Sequence, residues 1–96
     1  PQMNFLDAAS LGLPPGKVGI RPEHLTISRD RGEIPAEVSH VEKLGGETLV
    51  YARNPQHGLL TVRLFGEHDF EVSEKVHLTL QRERMFQFDP EGQRRR

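Results

Sequence analysis

Between Lys17 and Phe88 the apolar residues fall on alternate positions, and no stretch keeps the 3.6-residue spacing of a three-turn amphipathic helix. That period confines the chain to pleated strands with one buried face. Val18 and Ile20 alternate with Gly19 and Arg21, Pro22-Glu23 interrupts, and Leu25 and Ile27 resume the pattern. Ile34, Ala36 and Val38 share a face, whereas Val41 and Leu44 have the other parity. Such a phase change predicts a β-bulge near Ser39-His40, and bulges help a sheet curl. Further strands are expected over Thr48–Ala52, Leu60–Leu64, Val76–Leu80 and Met85–Phe88. Turn signals lie between them at Arg29–Gly32, Gly45-Gly46, Asn54–Gly58, Gln81–Arg84 and Asp89–Gly92. The expectation is an all-β fold, a small barrel or sandwich of about five to six short strands. Residues 1–16, ending in Gly12-Leu13-Pro14-Pro15-Gly16, read as an extended lead-in and loop, 17–93 as the β-domain and 94–96 as a basic tail.

Composition narrows function mainly by exclusion. Ninety-six residues suit one domain, and 34% hydrophobic content gives it a thin core. No apolar run reaches the ~20 residues of a membrane helix, and no stretch has the layout of a secretory signal. Without cysteine there is no disulfide framework and no thiolate metal site. Thirteen basic residues face fourteen acidic ones, a formal charge of −1, and three of the bases are Arg94-Arg95-Arg96. A nucleic-acid groove wants a basic excess that the body of this chain lacks.

Gly12-Leu13-Pro14-Pro15-Gly16-Lys17-Val18 resembles a phosphate loop only at a glance. Its glycines are one residue too close, valine stands where the magnesium-binding hydroxyl belongs, and two prolines remove N–H donors. His24, His40, His57, His68 and His77 are scattered; His68-x-x-Glu71 is the best two-ligand set, with Phe70 between marking ordinary strand alternation. Glu23 beside His24 and Glu67 beside His68 point to opposite faces of a strand, and Ser28, Ser39 and Ser73 sit in no nucleophile elbow. No catalytic constellation emerges. Phe65, Phe70 and Tyr51 with Arg53 and Arg63 would make a thin strand-binding face, but the charge balance favours reading these aromatics as core.

Four segments, in order, carry a family resemblance: Pro1-Gln2-Met3-Asn4-Phe5-Leu6, Gly19-Ile20-Arg21-Pro22-Glu23-His24-Leu25, Val41-Glu42-Lys43-Leu44-Gly45-Gly46-Glu47-Thr48 and Phe86-Gln87-Phe88-Asp89-Pro90-Glu91-Gly92. Together they resemble the C-terminal TOBE (transport-associated oligonucleotide-binding-like) region of ATPase subunits from ABC importers for sugars and glycerol-3-phosphate. The Gly-Ile-Arg-Pro-Glu-His stretch is the most specific, and the resemblance runs from residue 1 to about 94. Asn4, Gly19, Arg21, Pro22, Glu23, His24, Gly45, Phe88, Asp89 and Gly92 are the signature positions it picks out.

The resemblance implies a partly open OB-like barrel with regulatory and dimerisation roles and without catalysis of its own. ATP and Mg²⁺ would belong to an ATPase core, of which these residues carry neither phosphate loop nor signature sequence. It further implies pairing with a second copy, contact with permease subunits through the parent, possible docking of a regulatory protein, and a cytoplasmic place against the membrane's inner face. No nucleic acid is expected. Only Asp7–Val18 separate the first two motifs where the family usually has several strands. A barrel trimmed there would expose edges and self-associate. Within the motifs, Pro22 is expected to break a ladder, Arg21 and Glu23 to pair, and Phe86 and Phe88 to share a face in the core. The alternative reading is a stand-alone barrel for a small oxyanion or oligonucleotide, although Lys17, Lys43 and Lys75 form no cluster at a glycine nest.

Overall fold

The computed structural model describes residues 2–96 and is nearly all β. Pro1, the first residue of the first motif, lies outside the described residues. Eight strands follow in order: β1 Asn4–Asp7, β2 Lys17–Ile20, β3 Leu25–Ser28, β4 Ile34–Lys43, β5 Glu47–Asn54, β6 Gly58–Phe65, β7 Lys75–Leu80 and β8 Phe86–Phe88. They form two antiparallel sheets, β1-β2-β8 and β3-β7-β4-β5-β6. The five-stranded sheet curls until β6 returns beside β3 and the 3₁₀ turn Pro22–His24, a partly open barrel.

Alternation builds the core as the period requires. Val18 and Ile20, Ile34, Ala36 and Val38, Val50 and Ala52, Leu60 and Val62, and Val76, Leu78 and Leu80 are all buried. In β4 the register slips between Val38, opposite Ala52, and His40, opposite Tyr51. Ser39 is the extra residue, and after it Val41 faces inward across from Val50.

The opening segment is more than a lead-in. Asn4–Asp7 pair in register with Ile20–Lys17, and Asn4, Leu6 and Ala8 are buried. Ala8 N–H donates to Gly16 O at 2.9 Å, closing β1 onto β2. The first two motifs are thus joined by direct pairing of β1 with β2. Gly16 has φ +139, and a Cβ there would lie 1.9 Å from Phe88 O, so the loop that ends the lead-in presses against β8. The C-terminal residues also fold back: Phe88 bridges to Arg94, and Arg95 N–H donates to Gln87 O at 2.7 Å.

Candidate functional site

Three of the four sequence motifs converge on the small sheet. β1 carries the first, β2 runs into the second, and β8 opens the fourth. Gly19 sits centrally, paired with Phe5 on one side and Phe86 on the other. Its missing side chain leaves room for Met3, Phe5 and Phe88, which close over it from outside. The Phe5 and Phe88 rings lie 6.1 Å apart. Arg21 and Arg94 hold their guanidiniums 5.9 and 4.6 Å from the Phe86 ring centre, a cation–π arrangement with two cations on one ring.

This arrangement corrects two expectations. Phe86 and Phe88 do share a face, but it is the outer one, and both are half-buried. Arg21 is engaged by Phe86 and forms no ion pair with Glu23 among the described residues. The cause is local: Pro22 starts a 3₁₀ turn over Pro22–His24, and a turn does not put positions two apart on one face. Pro22 itself is buried, and it ends β2 as a ladder-breaking proline should.

Asn4 joins the two sheets. Its Nδ2 donates to Thr61 O at 2.9 Å and its Oδ1 accepts from Thr61 N–H at 2.8 Å. The side-chain amide thus stands in for a neighbouring strand and satisfies the free edge of β6 at Thr61. Asp89 organises the last turn: its Oδ1 accepts from Glu91 N–H and Gln93 N–H, with Gly92 at φ +85. Gly45, φ +88, belongs to the β4–β5 turn, outside the small sheet.

A Ser–His–Asp grouping is not legible in the sequence because its histidine lies some fifty positions from the other two members. Asp7 N–H donates to His57 Nδ1 at 3.1 Å, and Ser10 Oγ lies 3.4 Å from His57 Nε2. The proton placement is wrong for a nucleophile. With Nδ1 accepting, Nε2 carries the hydrogen in the neutral ring, so it cannot take one from Ser10. Ser10 Oγ instead donates to Asp7 O at 2.8 Å. Burial pushes the His57 pKa down, with Asp7 opposing and Lys17 assisting. The group is a tie between β1 and the β5–β6 turn.

Asn54 was also more than a turn residue. It is buried, donates to Pro35 O at 2.7 Å, and accepts from Gln56 and His57 N–H groups at 2.8 Å. Two of the three aromatics of the strand-binding face are not core either. Phe65 is 78% exposed, Tyr51 is half-buried and donates to Glu42, and only Phe70 packs against the interior. Arg63 is held by Glu47, Nε–Oε1 2.8 Å. Among the described residues no three His, Asp or Glu side chains converge as a metal site.

Comparison of the sequence with known proteins matches it to a family. The TOBE domain model matches residues 18–88. The chain is 38% identical to the sn-glycerol-3-phosphate import ATP-binding protein UgpC of Chromohalobacter salexigens, over 92% of this chain and 23% of that protein. It is 31% identical to the UgpC of Rhodopseudomonas palustris, over 83% of this chain and 27% of the relative. With the osmoprotective compounds uptake ATP-binding protein GgtA of a Synechocystis species it shares 28% identity, over 85% of this chain and 22% of that one. The chain therefore spans about a quarter of the length of these curated relatives. With most of its strands inside the matched span, the chain belongs to the TOBE domain family.

Proposed function

We propose that this chain is the non-catalytic accessory domain of the ATP-binding subunit of an ABC importer for glycerol-3-phosphate-like or sugar solutes. The observation that carries the reading is the family match over residues 18–88, together with relatives whose names describe ATP-binding proteins of solute import. The non-catalytic part is supported by the triad-like grouping found among the described residues: with Nδ1 accepting from Asp7 N–H, the neutral His57 ring has no free nitrogen to act as base. ATP and Mg²⁺ are then held by the rest of the parent subunit, which also meets the permease subunits at the cytoplasmic face of the membrane.

In this reading the domain pairs with a second copy and receives a regulatory protein, with no role for nucleic acid. Pairing by open strand edges loses support at β6, where Asn4 occupies Thr61. The outer face of the small sheet serves better: Phe5 is 53% exposed beside half-buried Phe86 and Phe88. Calorimetric titration of the chain with Mg-ATP is expected to give no saturable heat and no phosphate release. Saturable binding with turnover would overturn the non-catalytic assignment.

A further inference from the structure

On the outer face of the large sheet, where β4 passes between β7 and β5, lies a half-open groove of about 830 Å³. Two backbone irregularities form it. The bulge leaves Ser39 without a cross-strand partner and bends β4. Opposite it, the turn Glu71–Glu74 holds Ser73 at φ +76, a left-handed conformation that side chains disfavour. Ser73 N–H donates to Val38 O at 2.7 Å, and Glu74, paired with Arg29, accepts from Glu71 N–H. That clamp raises Val72, 63% exposed, as one lip of the groove. Pro35 and Pro55, also exposed, supply apolar surface on the other side.

Two cations, Arg53 and Lys75, share the groove with one carboxylate, Glu37. Arg53 and Lys75 stand in register with Glu37 from its two neighbouring strands, yet neither closes an ion pair among the described residues. His77 adds a further nitrogen base to the lining. We propose that the groove binds a short acidic peptide segment of a partner protein. Its carboxylates meet Arg53 and Lys75, and one apolar side chain rests against Pro35, Pro55 and Val72. A peptide suits the site better than a small anion, because the trough is open along its length and its apolar surface would stay wet under a bare oxyanion. Arg53 and Lys75 stand on either side of Glu37, so the groove suits carboxylates spaced to the two sides of that residue, with apolar side chains against the prolines and Val72.

The identity of the partner as a regulator rests on the accessory-domain reading, whereas groove binding and inertness to ATP succeed or fail separately. The test is a fluorescein-labelled Glu-Asp-Leu-Glu-Glu peptide titrated into the 96-residue chain, with amide shifts followed by NMR. Saturable binding below ~1 mM is expected, with shifts centred on Ser39, Ser73 and Lys75. Joint Arg53→Gln and Lys75→Gln substitution removes only exposed charge and should weaken binding at least ~10-fold. Lys43→Gln, outside the groove, should leave it unchanged. Shifts centred on Arg94–Arg96, equal affinity for the paired-Gln variant, or the same shifts with free glutamate would each overturn the proposal.

Discussion

Asn4 shows how much one side chain can carry. Both ends of its amide bond one backbone unit, Thr61, so truncation leaves a donor and an acceptor of β6 without partners. Asn4→Ala is expected to cost about 2 kcal/mol in urea unfolding; a midpoint equal to the parent chain would show the bridge to be dispensable. Phe88 is the opposite case. A fully buried phenylalanine costs ~3–5 kcal/mol to truncate. Being half-buried on the outer face, Phe88→Ala should cost only about 1.5–2 kcal/mol, and a loss in the core range would return Phe88 to the interior. Ser73 lies at the left-handed position of a type II turn, where glycine is the usual occupant. Ser73→Gly should raise stability by about 0.5–1 kcal/mol, and any loss of stability would mean that the hydroxyl does work the geometry does not reveal. The alternating aliphatics were legible in the sequence because a pleated strand leaves its period there. The direction of Phe86 and Phe88 was not, since one period fits either face of a sheet.

Among the elements, the β5–β6 turn does the most to join parts distant in sequence. Asn54 shapes it and ties it to Pro35, and His57 reaches from it to Asp7 on β1. The tie requires a neutral ring, and burial lowers the folded pKa below the ordinary 6.5. Hence the unfolded chain takes the proton first. The stabilisation is complete above about pH 6.5 and is lost as pH falls from there through the lower folded pKa. His57→Gln keeps an acceptor without titrating. The melting temperature of the parent chain should therefore drop relative to His57→Gln between pH 7.5 and pH 5.5, and parallel curves would exclude the tie. The bulge at Ser39 was readable as a parity change, and the Asp89–Gly92 turn by its residues. The tie was not, because nothing in a sequence says which turn will meet which strand.

At the scale of the whole molecule, the motifs that marked the family also mark the architecture. Three of them build the small sheet, which is fastened to the barrel through Asn4 and His57. The fold class was legible from periodicity alone; the pairing of β1 with β2 was hidden by a breaker cluster whose Gly16 proved to be a packing contact. Function rests on the family and on what the domain serves in a longer parent. The most direct test is to read the gene upstream of the codon for Pro1. The account predicts an open frame that carries a Gly-x-x-x-x-Gly-Lys-[Ser/Thr] loop and an ABC signature sequence. A start codon directly before Pro1, with no such frame, would contradict it.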